Sequence, residues 1–506
     1  MSVITQPAAD EATPVSAAPP GPPPAHVDES AAVADYTETV VPQGARRSNW
    51  RMFLQFSSMQ LVFGAVLVGY TARFQGLTLG QLAVAMAIAV TAMTVYCVGS
   101  ANVGAVVGQT TASTTRSVFG RIGSSMVSVL LVIDGMGFYL FTVIFVMSLA
   151  TSLIGALPAV SVLTAALALV MIINSYFGFT GLLRFAQYVA LPAIALWGCY
   201  ALVKSLTTVT SHQLAAVPHT SSASSLLIVV GAMVGLSTWG NEADVFRYAR
   251  SGRASWWNIP TLSVAYILGA FLFPILGYLI ATVSNQPDFS ASIHYFANFT
   301  LFGLAAFMLV ILVINQWAVQ DGNLYIAING AQNLLSGIRW WRRQYTVVGL
   351  GLIAAALTFI MPNLTKTFTI VTGIGAVTIP VASTIMAMDL FVVPRLYGIK
   401  RRMHRVPSWH ETALANWPAI VALAAGTGVG AYTAGLIPGL KGFGSTNIGF
   451  PAVQAWATGA IVYLVLVGLV RVLSGDRVQG WLGHWHHEPD GEAVSIAEPI
   501  VETQSI

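Results

Sequence analysis

The sequence predicts an all-α integral membrane protein of about twelve transmembrane helices, and three observations carry that reading. Of the 506 residues, 56% are hydrophobic and only 8% are charged, where a soluble protein carries about 25% charged residues. Apolar runs of about 20 residues recur from Leu54 to Leu473, each long enough to cross a hydrocarbon core of ~30 Å. The basic residues alternate between loops. With the N-terminus inside, 19 of the 23 Lys and Arg fall on the inner side, and only Arg73, Lys204, Lys366 and Lys441 fall outside. That is the positive-inside pattern of a multi-pass protein of the cytoplasmic (cell) membrane with both termini in the cytoplasm.

Residues 1–44 are Ala- and Pro-rich (PPGPPPAHVDES) and read as a disordered cytoplasmic tail without the apolar region of a cleavable signal. Arg46, Arg47 and Arg51 precede the first span. Spans are expected at 52–72, 80–105, 124–149, 157–177, 186–204, 225–243, 258–284, 299–328, 346–362, 367–393, 412–433 and 451–472. The basic loop 395–411 separates a transporter core, 45–410, from two additional spans within 411–473. Residues 474–506 read as a polar cytoplasmic tail, and its HWHHE run (484–488) as solvated chain rather than a metal site. Cys97 and Cys199 fall inside spans and read as packing residues, so no disulfide framework is expected. The net charge of +4 comes from loops between spans and does not point to nucleic acid.

Ten spans divide into two groups of five, in which the first and sixth hold corresponding places. Both are short and both mix glycine with polar residues: Ser57, Ser58, Gln60, Gly64 and Gly69 in the first, and the stretch Gly231–Arg250 (GAMVGLSTWGNEADVFRYAR) at the sixth. Paired interrupted segments of this kind suggest an inverted repeat of five plus five spans, with broken first and sixth helices and the binding site at their interface. In the sixth, Gly231, Gly235 and Gly240 each weaken a helix by roughly 1 kcal/mol against Ala. Ser237, Thr238, Trp239, Asn241, Glu242 and Asp244 then crowd into eight residues. Such groups must line a protein-enclosed cavity in the hydrocarbon, or else the helix ends at Gly240 and exits to water.

No HExxH, GxSxG, P-loop or CxxC pattern is present, so neither an enzyme nor a cofactor is expected. Polar groups sit within spans instead. Asp134 lies in LLVIDGMGFYLF of the third span, where an acid is costly and by default functional, as a proton carrier or a substrate anchor. Phe138 follows four residues later on the same helical face, so a ring can stack on a flat ligand beside the carboxylate. In the eighth span, INQWAVQDGNLY clusters Asn315, Gln316, Gln320, Asp321 and Asn323. Asn and Gln offer donors and acceptors that suit the mixed edge of a nucleobase or an amide ring; a helix cap is the competing reading of 320–323. In the tenth span Gly373, Gly375 and Pro380 mark a deformable helix able to gate, and Asp389 is expected at the membrane edge.

Four stretches together resemble the nucleobase:cation symporter family of purine/cytosine permeases. They are VPQGARRSNW before the first span, GAVVGQTTASTTRSVFG after the second, NEADVFRYAR at the end of the sixth and NQWAVQDGNLY in the eighth. The last aligns without gaps with an Asn-x-Trp-x-x-Asn-Asp-x-x-Leu-Tyr stretch of bacterial cytosine permease-like members, and the resemblance runs over about residues 41–400. It implies a five-plus-five inverted-repeat fold with two added helices and alternating access around a midplane site. It also implies a base held between aromatics of the third and sixth helices. Phe138 matches the third-helix aromatic, Ser237 the hydroxyl that binds the base, and Asn315 the eighth-helix asparagine. The sixth-helix aromatic position falls on Gly235, a departure that leaves Trp239 or Met233 to supply the second wall or makes room for a bulkier ligand. The two hydroxyl residues of sodium-coupled relatives are replaced by Ala318 and Val319, which carry no oxygen for a hard cation.

The expected function is therefore cation-coupled import of a nucleobase (cytosine or purine type) or a related nitrogen heterocycle, with protons favoured over sodium. The substrate-binding set is Asp134, Phe138, Gly235, Ser237, Trp239 and Asn315, and the coupling candidates are Asp134, Glu242, Gln320 and Asp321. A permease of the same fold for allantoin, hydantoin, thiamine-precursor or amino-acid substrates is the first alternative, and a non-transporting membrane sensor the second. The partners expected are the small-molecule substrate, the coupling cation and the lipid bilayer.

Overall fold

The computed structural model describes residues 35–474 except 156, 217–222, 239, 241, 251–254, 288–294, 297–298, 300–302, 339, 361–363, 402, 404 and 438–449, together with Leu482. The described chain is helical throughout. Its β structure is a single isolated bridge between Arg47 and Ala249.

Every expected span falls on a helix. Among the described residues, seven are long and apolar enough to cross a membrane: Leu79–Val107, Thr111–Ile154, Gly178–Thr208, Ser225–Phe246, Asn258–Ser284, Val371–Tyr397 and Pro451–Ser474. The first expected span is a helix pair, α1 (Asn49–Gln60) and α2 (Phe63–Phe74), bent by 47° at Leu61–Val62. Shorter helices, Val160–Tyr176, Arg343–Leu357 and Trp417–Thr433, occupy three further positions, and Ala305–Leu335 the eighth. The outer surface is apolar, with Val472 81% and Leu473 84% exposed, while the interior gathers Gln60, Asp134, Glu242 and Gln320. An apolar exterior around a polar interior is the arrangement that hydrocarbon solvent selects.

Three spans contain a wide π turn, at Ala186–Ala190, Ile267–Leu272 and Met388–Val392. Each stands immediately before a helix with proline in its first turn (Pro192, Pro274, Pro394), whose missing N–H breaks the regular ladder at that point.

Close helix approach runs through glycine. A Cβ on Gly269 would lie 2.0 Å from the Gln60 carbonyl, and one on Gly277 1.9 Å from the Val66 carbonyl, so the broken first span sits directly on the seventh. In the same way a Cβ on Gly135 of the third span would lie 2.5 Å from the Asn323 carbonyl of the eighth. The last two helices are not loosely appended. Trp456 donates to the Ala376 carbonyl at 3.1 Å and stacks on Tyr96 at 4.5 Å.

Two expectations, on residues 35–44 and on Cys199, are corrected here. Residues 35–44, read as part of a disordered tail, are packed against the bundle, because Asp35 supplies the carboxylate that the buried Arg247 faces. Asp389 is buried in the protein, held by the Arg401 guanidinium of the basic loop and the Tyr463 hydroxyl. Cys199 is exposed on its span instead of packed. Cys97 is buried, yet it bonds to polar groups described below. The HWHHE run lies outside the described residues.

Candidate functional site

The site is built where two helices lose their regular hydrogen bonding. In the first span the ladder stops at Leu61 and Val62, whose backbone leaves the helical region (ψ 64° and 129°). In hydrocarbon the freed backbone groups must find partners, and Asn315 provides them. Its Oδ1 accepts the Phe63 N–H at 2.9 Å and its Nδ2 donates to the Leu61 carbonyl. Gln316 Nε2 completes the set, donating to Asn315 Oδ1 at 3.2 Å. Asn315, expected to bond the ligand, holds the broken backbone with its side chain. A carboxamide fits there because it alone offers one acceptor and one donor in a plane.

The sixth span is broken between α3 (Ala223–Ser237) and α4 (Glu242–Phe246). Gly240 takes φ +67° there, a left-handed conformation that glycine adopts without strain. Its carbonyl accepts from Ser383 Oγ at 2.7 Å. The Ser237 carbonyl accepts from Gln60 Nε2 at 3.4 Å, so the two breaks lie against one another. Thr238 Oγ1 turns back to the Val234 carbonyl at 2.6 Å. Ser237 is fully buried and its Oγ makes no hydrogen bond among the described residues. Trp239 lies outside the described residues.

From the third span, Asp134 and Phe138 point the same way, as their four-residue spacing requires. Both face Gly375 of the tenth span. A Cβ at that glycine would stand 3.0 Å from Asp134 Oδ1 and 3.0 Å from Phe138 Cε2. Asp134 is 2% exposed, and neither carboxylate oxygen has a hydrogen-bond partner. The tenth-span glycine read as a gating element is thus also the floor beneath the acid and the ring.

Gly235 is not an open wall. A Cβ there would meet the Thr372 carbonyl at 2.5 Å, and Ala376 Cβ at 3.4 Å. The place of the missing aromatic is filled by the backbone of the tenth span, so glycine at 235 serves helix approach.

The eighth-span residues separate into two groups. Gln320 is fully buried with neither amide atom hydrogen-bonded, and Asn323 likewise. Asp321 accepts from Asn174 Nδ2 at 2.9 Å through one oxygen while the other is unpaired. The helix continues to Leu335, so residues 320–323 do not cap it. Ala318 and Val319 are buried and offer only hydrocarbon.

Glu242, at the start of α4, meets a group that the sequence did not suggest. Cys97 Sγ donates to Glu242 Oε1 at 3.2 Å and lies 2.8 Å from the Tyr266 hydroxyl; Glu242 Oε2 is without a hydrogen bond among the described residues. By contrast Asp244 is fully engaged by Thr111 Oγ1, the Thr111 N–H at 3.3 Å and Asn329 Nδ2 at 2.6 Å. Among the described residues no group of three His, Cys, Asp or Glu side chains is placed to hold a metal ion.

Contacts thus run from the third span to the tenth (Asp134, Phe138, Gly375), from the tenth to the sixth (Thr372, Gly235), and from the sixth to the first and eighth (Ser237, Gln60, Asn315). Along that run the unpaired buried groups are Asp134, Ser237 Oγ and Gln60 Oε1. Buried polar atoms are nearly always hydrogen-bonded, so a cluster of exceptions marks a place where something else bonds.

No protein-family model matches the chain. It is 25% identical over 441 residues to the cytosine permease of Escherichia coli strain K12, covering 85% of this chain and 94% of the permease, and the same holds for the permease of strain O157:H7. The resemblance to the permeases therefore spans the chain. Among solved structures, it matches Mhp1, a nucleobase-cation-symport-1 family transporter, in a closed conformation with bromovinylhydantoin bound. The TM-score is 0.64 at 13% identity, over 88% of this chain and 99% of that one. The inward-facing conformation of Mhp1 gives 0.61 at 14% identity, over 90% and 98%. A Na+-coupled sialic acid symporter gives 0.56 at 11% identity, over 86% and 94%. The chain has the fold of these transporters, as its motifs implied.

Proposed function

We propose that this chain is a secondary active transporter of the cell membrane, with both termini in the cytoplasm, that imports a nucleobase or related nitrogen heterocycle by cation-coupled alternating access. The observation that carries this reading is the set of buried, unpaired polar groups at the two helix breaks. Ser237 Oγ and Gln60 Oε1 lie at the breaks, and Asp134 flanks Gly375 together with the ring of Phe138, in a fold shared with symporters and a chain similar to cytosine permease. Phe138 stacks on the ring of the base. Asp134 accepts from its N–H groups, and Ser237 bonds its edge. Asn315 positions the broken first span beside it. The transporter core is the 45–410 unit with the packed segment 35–44 added.

Protons are the coupling ion in this reading. Ala318 and Val319 present no oxygen, and a buried carboxylate without a cationic partner is held far more cheaply protonated than charged. Asp134 and Glu242 meet that description. Asp321 shares it in part through Asn174, and Gln320 has no proton to give up. A hydantoin-class substrate is the second reading, favoured by the bromovinylhydantoin held by Mhp1, whose ring also alternates N–H and C=O groups.

The test is uptake of labelled cytosine in cells lacking their own nucleobase permeases, competed by unlabelled bases, allantoin and hydantoins, with and without sodium. Saturable uptake that is indifferent to sodium and rises with an inward proton gradient is expected. Asp134→Asn or Glu242→Gln should flatten its pH profile. Sodium-dependent uptake would sink the proton reading. Absence of uptake and competition, with the protein in the membrane, would sink the substrate class.

A further inference from the structure

We infer that the arginine-lined cavity at the N-terminal end of the first span is a binding site for the phosphate of an anionic phospholipid. The cavity, about 280 Å³, is lined by Gly44, Arg46, Arg47, Ser48, Arg51 and Arg250, with no acidic side chain among them. Arg46 is buried and spends Nε and Nη1 on the carbonyls of Val41, Ala105 and Ala249. The Arg47, Arg51 and Arg250 side chains have no ion pair among the described residues, and Arg51 and Arg250 are exposed.

The backbone holds these charges together. The Arg47 N–H donates to the Tyr248 carbonyl at 2.6 Å, and the Arg250 N–H to the Arg47 carbonyl at 2.9 Å. Like charges fixed side by side repel unless an anion sits between them. Arginine matches phosphate oxygens with paired N–H donors. The first turn of α1 adds to the field, since Ser48 makes no side-chain cap and no acid lies in that turn.

Free phosphate would share this chemistry. The flanking indoles favour the lipid. Trp50, 64% exposed, stacks on Phe53 between the pocket and the span, and the Trp256–Trp257 pair, 66% and 52% exposed, stacks at 4.1 Å where the seventh span begins. Exposed tryptophans mark the water–hydrocarbon boundary, the depth at which headgroup phosphates lie. A phosphate held by Arg51 of the first span and Arg250 of the sixth also straps together the two broken spans.

The experiment is native mass spectrometry of the purified full chain offered phosphatidylglycerol or phosphatidylcholine, alongside Arg51→Gln/Arg250→Gln. Thermal melting with inorganic phosphate forms a separate arm. The wild type should retain phosphatidylglycerol in preference to phosphatidylcholine. Each arginine removed should weaken that retention roughly fivefold, the factor expected per basic residue at an anionic surface. Arg51→Lys/Arg250→Lys should recover most of it. The glutamine variant should melt as the wild type does in phosphatidylcholine, because both side chains are exposed and unpaired. Equal retention of the two lipids, or equal retention of phosphatidylglycerol by variant and wild type, would overturn the site. Stabilisation by inorganic phosphate without lipid preference would overturn the lipid as its source.

Discussion

Asn315 clamps the break that Phe63 begins: its Oδ1 takes the Phe63 N–H at 2.9 Å while its Nδ2 serves the carbonyl of Leu61 two residues earlier. One eighth-span side chain thus replaces the backbone bonds that the first span gives up. Asn315→Ala should therefore cost stability as well as transport. Each backbone group left unpaired costs about 1–3 kcal/mol, so the variant should melt at a clearly lower temperature in detergent. A variant that melts like the wild type but fails to transport would return Asn315 to the ligand.

Ser237 gives the opposite expectation. Its Oγ has no hydrogen-bond partner among the described residues, so Ser237→Ala removes no bond seen to hold the fold together. If the hydroxyl bonds substrate, KM should rise by a few-fold to about tenfold, the worth of one hydrogen bond of about 0.5–1.5 kcal/mol. Thermal melting should hold or rise slightly. Unchanged KM would remove Ser237 from the site.

Gly235 and Gly375 separate packing from binding. A methyl group at 235 meets the backbone carbonyl of Thr372 at 2.5 Å, which cannot move aside cheaply. Gly235→Ala should destabilise by about 1–3 kcal/mol through overpacking, and uptake per folded molecule should change little. At 375 the neighbours are Asp134 Oδ1 and the Phe138 ring, both 3.0 Å away and both side chains that can yield. Gly375→Ala should alter substrate preference at normal protein levels. The reverse pattern would move the ligand to the sixth-span side.

The membrane class was legible because hydrocarbon imposes it residue by residue. The broken first and sixth spans were legible because glycines and hydroxyls inside an apolar run have no other cheap use. Asp134 and Phe138 were readable as a pair from their spacing alone. What could not be read was which polar atom is spent on protein. Asn315 and Ser237 look alike in sequence, yet one is consumed by a backbone break 252 residues away and the other is not. The Cys97–Glu242 contact, 145 residues apart, is hidden for the same reason: a cysteine in an apolar span carries no local mark of its partner. Gly235 is ambiguous in sequence because an absent side chain reads equally as room for a ligand or as room for a neighbouring helix.

The acid at position 35 had a faint signal that composition masked. In DYTETVV an acid, a tyrosine and two valines interrupt the Ala/Pro-rich chain, and these are the residues that pack. The Asp35 carboxylate accepts from the hydroxyls of Tyr248 at 2.6 Å and Tyr325 at 2.7 Å and from the Phe179 N–H at 3.3 Å, and lies 3.6 Å from Arg247 Nη2. Phe179 and Tyr248 stack at 4.0 Å over it. Arg247 is wholly buried, and its guanidinium also donates to the carbonyls of Asp35 at 2.8 Å and Tyr36 at 2.9 Å. Removing one member of such a pair strands the other charge at a cost of about 3–5 kcal/mol. Asp35→Ala should lower the melting temperature accordingly, more than Asp35→Asn, which keeps an acceptor oxygen for one tyrosine and offers an amide N–H to the hydroxyl of the other. Arg247→Met should itself be costly, but adding it to Asp35→Ala should cost less than the sum of the two, because the stranded charge is gone. Strict additivity across that cycle would show that the two side chains do not act as a pair.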